Sequence, residues 1–236
     1  MKKTPRLSVV IPTLNEERYI GTVLNDLRLQ TLLPDEVLVV DGGSTDATQR
    51  IVKTHKHATF IQTDKPVGNQ RSHGGNLAEG SIIMFLDADV HLDPTFIENA
   101  LAEFQTRSLS CACPAYKPFP GSFSIRLFYA FFNKIFWGTQ HIKASGAGSC
   151  IIVTRKLFNS IGGFSASYTY DDIVFIRQAG ERGRFGILKT PIHVSDRRIR
   201  KDGMFKTLWI YSILTVLFAF NAYKLSNRIT YPFGHF

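Results

Sequence analysis

Three short acidic patterns in this chain hold residue types that can do chemistry. The apolar run Ile82-Ile83-Met84-Phe85-Leu86 ends abruptly in Asp87-Ala88-Asp89. Two carboxylates one residue apart, at the carboxyl end of a buried strand, can hold a hard divalent cation and the phosphates it bridges. The plainer alternative is a strand-end turn that Asp89 merely serves. A second apolar run, Val37 to Val40, leads into Asp41-Gly42-Gly43-Ser44-Thr45-Asp46. Its glycines permit close backbone approach and Ser44 or Thr45 can cap the next helix, so this loop reads as a nucleotide pocket. Tyr170-Asp171-Asp172 opens a helix. There the helix dipole favours carboxylates, and capping alone would account for the pair on structural grounds.

These loops need a frame that brings them to one edge. Leu7 to Ile11 reads as a first strand, and Pro12 to Glu17 turns into a helix on which Ile20, Val23, Leu24 and Leu27 recur at helical spacing. Phe60 to Gln62 is a weaker strand, and Gly68 to Ala78 a glycine-interrupted helix leading into Ile82 to Leu86. Consecutive strand and helix units predict an α/β chain with a doubly wound, mainly parallel sheet. Pro94 is expected to start an amphipathic helix with Phe96, Ile97, Ala100, Leu101 and Phe104 on its buried face. Ser145 to Ser149 is a flexible turn before a strand over Cys150 to Val153, and short apolar runs follow at Ile187-Leu188 and Ile192-His193-Val194.

The 236 residues allow one large α/β domain, with or without an appendage, and 44% hydrophobic residues supply a core. Lys and Arg number 28 against 19 Asp and Glu, and the net charge of +9 favours phosphorylated ligands, an anionic membrane surface or nucleic acid. The basic cluster Arg197, Arg198, Arg200 and Lys201 adjoins an apolar segment and not a recognition helix, which argues against nucleic acid. Three cysteines without metal-ligand spacing predict neither a disulfide framework nor a zinc site, and fit a reducing compartment. The apolar run behind Lys2, Lys3 and Arg6 closes at Pro12, too short for a signal peptide, so the cytoplasmic face of a membrane is the expected location.

Membrane association is expected from two segments. Phe119 to Trp137 carries aromatic residues on more than one face, with Arg126 and Lys134 among them. That pattern fits a membrane interface, or a helix packed on the sheet. Leu208 to Tyr223 would be about 24 Å long as a helix, short against a hydrocarbon core of roughly 30 Å. It is expected to lie in the interface or to pair with the aromatic helix, in preference to spanning the bilayer. The expected division is a catalytic domain over 1–203, with halves 1–110 and 111–203, and a membrane-associated helical tail over 204–236.

Val9-Val10-Ile11-Pro12-Thr13-Leu14-Asn15-Glu16, Val39-Val40-Asp41-Gly42-Gly43-Ser44-Thr45-Asp46, Phe85-Leu86-Asp87-Ala88-Asp89 and Ile161-Gly162-Gly163-Phe164 before an acidic pair occur in that order. With these motifs the chain resembles the family 2 glycosyltransferases, which have the nucleotide-sugar-binding GT-A fold, over most of Leu7 to His193. The resemblance implies that Pro12, Thr13, Asn15 and Glu16 line the base and ribose pocket, that Asp41 hydrogen-bonds the base beside Gly43 and Ser44, and that Arg71 sits near the diphosphate. It further implies that Asp87 faces the ribose or the metal, next to Ala88, that Asp89 ligates a divalent metal (Mg2+ or Mn2+), and that His193 completes the metal site. The chain departs from the family pattern in three places. Asp171-Asp172 stands where Glu-Asp is usual, Ser72 follows Arg71 where many relatives have Asn, and the Gln-x-x-Arg-Trp motif is missing. The last absence argues against a processive polysaccharide synthase.

The expected reaction is inverting transfer of a sugar from a nucleoside-diphosphate sugar to an acceptor hydroxyl. The cation and Arg71 would offset the charge of the leaving diphosphate, and Asp172 would be the general base with Asp171 beside it. A lipid-linked or membrane-associated acceptor follows from the interfacial segments. Arg197 and Arg198 are expected to belong to a turn-rich flap that closes on the diphosphate, with Gly203 as hinge; anchoring to anionic lipid is the alternative. Two other functions compete, a nucleotidyltransferase and a catalytically inert membrane-bound scaffold. The first would want a glycine-rich phosphate loop, which Pro12 to Glu17 lacks.

Overall fold

The computed structural model describes residues 6–219 and 223–227. Its strands are β1 (Leu7–Thr13), β2 (Glu36–Asp41), β3 (Thr59–Gln62), β4 (Ile82–Leu86), β5 (Val90–His91), β6 (Cys111–Phe119), β7 (Cys150–Thr154) and β8 (Phe185–Ser195). Among the described residues they form one sheet in the order β3-β2-β1-β4-β7-β6-β8-β5. The helices are α1 (Ile20–Arg28), α2 (Thr48–Thr54), α3 (Val67–Leu77), α4 (Phe96–Thr106), α5 (Phe123–Thr139), α6 (Arg155–Ile161), α7 (Asp171–Arg182), α8 (Arg197–Asp202), α9 (Met204–Ala219) and α10 (Tyr223–Ser226). Every residue of β1 and of β4 is buried, as strands covered by helices on both faces require. Val9 and Ile11 face one apolar layer with α1 and α4, while Val10 faces the other with α6 and α7.

The amino-terminal half is the parallel sheet expected, with β1 flanked by β2 and β4, and β3 outside β2. The other half is mixed, while four of the seven strand pairings among the described residues are parallel. β7 runs antiparallel to both β4 and β6, β5 is antiparallel to β8, and β8 is parallel to β6. A short apolar run such as Cys150-Ile151-Ile152-Val153 has no direction in its pattern, so periodicity alone could not reveal this reversal. The two runs expected around Ile187 and Ile192 are one strand, whose register against β6 shifts between Pro114 and Ala115. The bulged backbone donates from Lys189 N to Glu103 Oε2 at 2.8 Å, which satisfies a donor the sheet leaves over.

Helix α3 lies close to the sheet because it carries glycines. A Cβ on Gly74 would sit 2.4 Å from Val10 Cγ1, and one on Gly75 2.4 Å from the Phe158 ring. That close approach brings Arg71, one turn earlier, into the protein interior at the carboxyl end of β4.

Helix α5 packs on β6 through Asn133, which accepts from Tyr116 N at 3.0 Å and donates to Tyr116 O at 2.8 Å. Tyr129 and Phe136 pack against the sheet's core on that side, Ile125 and Phe128 are buried against Ile199 of α8 and Tyr211 of α9, and the helix keeps an apolar outer face. Phe119 belongs to β6, and α4 begins at Phe96, two residues after Pro94. No helix among the described residues is long and apolar enough to cross a membrane. Helix α9 covers the first part of the expected run from Leu208 to Tyr223, residues 220–222 and 228–236 lie outside the described residues, and Tyr211 of α9 packs on Phe128 and Phe132 of α5. The three cysteines are buried and form no disulfide, and burial pushes the Cys111 and Cys150 thiols up and out of the reactive range.

Candidate active site

The loops after β1 and β2 are stitched together by side chains. Asn15, with φ of 56°, accepts from Thr45 N at 2.8 Å and donates its own N–H to Ser44 Oγ at 2.8 Å. Asp41 accepts from Gly43 N at 2.9 Å and Ser44 N at 2.8 Å, and Thr13 Oγ1 donates to it at 3.3 Å. Gly43 takes φ of 90°, which lets the chain double back over that carboxylate. Asp41 is thereby buried beneath its own loop, which its carboxylate holds in shape. Ser44 bridges the two loops; neither it nor Thr45 caps α2, whose N-cap is Ala47 with no side-chain bond, while Asp46 accepts from Thr48 N at 2.9 Å. Pro12 is buried near the end of β1, opposite Val40 of β2.

Glu16 and Asp89 face a common cation. The Arg197 guanidinium donates to Glu16 through Nη1 at 3.2 Å and Nη2 at 3.1 Å, and its Nε lies 3.0 Å from Asp89 Oδ2. It also stacks on the Tyr19 ring, 4.8 Å from the centroid. Burial raises the Glu16 pKa, against the opposing pull of Arg197. Arg197 begins a six-residue helix, α8, where a turn-rich flap was expected, and its side chain already lies over the pocket. The side chain of Arg198 lies outside the described residues.

Arg71 organises the next layer inward. Its Nη1 donates to both oxygens of Asp171 at 3.0 Å, and its Nη2 donates to Asp87 Oδ1 at 3.0 Å. Burial opposes the charge on Arg71, but Asp171 and then Asp87 outweigh it and raise its pKa. Asp172 points elsewhere, against Gly148: a Cβ there would meet Asp172 Oδ2 at 2.5 Å, so the turn over 145–149 needs its glycine for close approach. Burial, with the Asp171 charge next, pushes the Asp172 carboxyl up to about 6, into the range of a working general base. Asp172 lines a cavity of about 440 Å3 whose floor also includes Arg71, Asp87 and Asp171.

Arg71→Met is expected to destabilise the fold by about 3 to 5 kcal/mol, because it strands a carboxylate, Asp171, that is only 1% exposed. Urea denaturation measures this. A loss below about 1 kcal/mol would mean that Asp171 protonates at little cost when its partner is gone.

His193 is not brought to the aspartates. Its Nε2 lies 3.1 Å from Asp93 Oδ2, and its backbone pairs with His91 across β5 and β8. Among the described residues no three His, Cys, Asp or Glu side chains are grouped to hold a metal. Asp87 and Asp89 nevertheless fit a divalent cation that shares its shell with a diphosphate: they are hard oxygen donors at one strand end, and a guanidinium already occupies Asp89 as a stand-in cation. Sequence reasoning missed Tyr19 and Arg177. Arg177 had a signal, since it falls four residues after Ile173 on the inward face of α7.

The family model described as glycosyl transferase family 2 matches residues 8–162, a segment that ends before Asp171 and Asp172. The chain is 36% identical over 118 residues to the chondroitin synthase of Escherichia coli, covering 48% of this chain and 17% of that protein. It is 37% identical over 106 residues to the validoxylamine A glucosyltransferase of Streptomyces hygroscopicus subsp. limoneus, covering 42% of this chain and 23% of that one. The matches thus span less than a third of these relatives' length. Among solved structures, Pyrobaculum calidifontis mannosyltransferase PcManGT in complex with GDP-Man and Mn2+ superimposes with a TM-score of 0.68 at 22% identity, over 81% of this chain and 57% of that one. Staphylococcus aureus TarS 1-349 in complex with UDP-GlcNAc gives 0.66 at 23% identity, over 80% and 58%. At such identities these two likenesses concern the fold.

Proposed function

The chain belongs to glycosyl transferase family 2, and from that premise we propose that it transfers a sugar, with inversion, from a nucleoside-diphosphate sugar to the hydroxyl of a lipid-linked or membrane-associated acceptor. One observation carries the reading: Arg71 joins Asp87, at the end of β4, to Asp171, and the adjoining Asp172, whose carboxyl pKa is raised by burial, lines one cavity with all three. A donor diphosphate near Asp87 and an acceptor hydroxyl at Asp172 would then meet in that cavity beside one buried arginine. The names of the solved neighbours support such a donor, since those proteins were captured with UDP-GlcNAc and GDP-Man.

In this reaction Asp172 takes the proton of the acceptor hydroxyl while its oxygen bonds to the anomeric carbon. The carbon–oxygen bond to the diphosphate breaks, and its electron pair leaves with the phosphate. One base suffices and no nucleophilic carboxylate is needed, which is the pattern of inversion. Asp87 and Asp89 would hold a divalent cation, Mg2+ or Mn2+, which when bound neutralises the leaving diphosphate. Arg71 fixes Asp87 and Asp171 in place and adds positive potential beside them. The exposed apolar face of α5 supports a membrane surface as partner.

Thermal unfolding with UDP-, GDP- and dTDP-sugars, each with and without Mn2+, tests the reading. One nucleotide class should stabilise the protein, and more so with the metal; no stabilisation by any of them would remove the proposed donor. A second expectation concerns Arg197, which competes with a cation for Asp89. Arg197→Gln should bind Mn2+ alone about tenfold more tightly, since breaking one charge-assisted pair that is partly exposed is worth roughly 1.4 kcal/mol. Titration by the paramagnetic resonance of free Mn2+ reads this directly. Unchanged or weaker binding would show that the guanidinium does not occupy the cation's place.

A further inference from the structure

The cavity above Asp172 has a polarity that donor chemistry does not use. Its carboxylates, Asp171 and Asp172, lie in the first turn of α7. Arg177, buried on the same helix, lines the cavity further along. Arg177 lies five positions after Asp172, about 7.5 Å along the helix axis. Lys143 also lines the cavity, and its neighbour Ala144 packs against Gly180 of α7, which puts both cations at the end away from the carboxylates. Much of the remaining wall is apolar. Phe128, Phe132 and Phe136 of α5 face Tyr211 and Leu214 of α9, and the Tyr211 ring closes on Phe128 and Phe132 at 6.1 and 5.7 Å.

The same two helices are apolar on their outer sides. On α5, Phe123, Leu127 and Phe131 are 83%, 63% and 56% exposed at a spacing of four residues, and on α9 Phe205 and Trp209 are 84% and 68% exposed. Arg126 and Lys134 lie on α5 among these residues, so the outer face joins apolar groups to positive charge.

We propose that this cavity binds the phosphate-bearing headgroup of a lipid acceptor, with the phosphate at Arg177 and Lys143, the reactive hydroxyl at Asp172, and the lipid chain along α5 and α9. This rests on the sugar-transfer reading above and names its acceptor class. Tyr129, Tyr170 and Tyr211 bring hydroxyls to the wall for a sugar ring, while Phe128, Phe132, Phe136 and Leu214 give it the apolar surface that a lipid chain would cover. A phosphate would accept hydrogen bonds from Arg177 Nε and Nη1, two buried donor atoms that make none among the described residues, with Lys143 adding positive potential beside them. The separation along α7 leaves room for a sugar ring between hydroxyl and phosphate.

The test uses the full chain in non-ionic detergent without donor, with calorimetry of farnesyl monophosphate, farnesol and inorganic phosphate. Farnesyl phosphate should bind at least about tenfold more tightly than farnesol, with inorganic phosphate weaker than either, because chain and charge are both recognised. Arg177→Gln should remove the preference for phosphate over alcohol, and Lys143→Gln, at a more exposed position, should reduce it even if the first variant fails to fold. Equal affinity for the two lipids, or a preference that survives in Lys143→Gln and in a folded Arg177→Gln, overturns the proposal. So does binding to phosphatidylglycerol vesicles that farnesyl phosphate does not weaken, which would mark a charged surface and not a site. Because donor is absent, lipid phosphate binding by a chain that binds no nucleotide-sugar would sink the transfer reading alone, and the converse would sink only the acceptor site.

Discussion

Asp172→Asn is expected to lower turnover by at least about a hundredfold while leaving donor binding nearly unchanged. The substitution keeps the size of the side chain, so the contact with Gly148 and the turn over 145–149 should hold. What it removes is the ability to accept a proton. In the wild type the carboxyl is pushed up to about 6, chiefly by burial and next by the Asp171 charge. The sign follows from the role: only the deprotonated form can act as base, so turnover should rise about tenfold per pH unit below 6 and level off above it. That acid limb should disappear in Asp172→Asn along with most of the rate. Steady-state kinetics between pH 4.5 and about 8, with saturating donor, measure both. A variant within about threefold of wild type that keeps the limb would place the base elsewhere. Asp171 is the first alternative, although its bidentate bond to Arg71 makes it a poor proton acceptor.

The parts of this site that could be read from sequence are those whose signal is local. The buried strands β1 and β4 announce themselves as apolar runs, the glycine loop after β2 by its composition, and the carboxylates by position at a strand end and a helix start. Partnerships across long separations are invisible to such reading. Arg197 meets Glu16 across 181 residues and Arg71 meets Asp171 across 100, and no periodicity encodes either pair. His193 shows the same limit in a different form. Expected to follow the final strand, it lies inside β8, and with β8 paired to β5 its imidazole meets Asp93. Strand direction in the second half was lost because β7 is too short and too uniformly apolar to reveal which way it runs.

Asp89→Ala should abolish the metal-dependent part of donor binding. Asp89 is one of two carboxylates at the end of β4, and its partner Asp87 is already engaged by Arg71. With Asp89 gone, a single shared carboxylate remains, too little to hold a divalent cation against a diphosphate that brings its own negative charge. The alternative outcome has a physical basis, since Arg197 loses one of its partners in this variant and can turn its freed Nε towards the phosphates. Arg197 would then substitute for the cation and bind nucleotide without metal. Calorimetry with nucleotide in the presence and absence of Mn2+ separates the two. In the wild type Mn2+ should tighten nucleotide binding by at least about tenfold, the effect of one well-placed opposite charge in a partly buried site. In Asp89→Ala the two affinities should coincide, and Arg197→Gln added to it should weaken both equally if Arg197 has moved onto the phosphates. Metal-dependent tightening that persists in Asp89→Ala would remove this residue from the cation site and leave its ion pair with Arg197 as its main role.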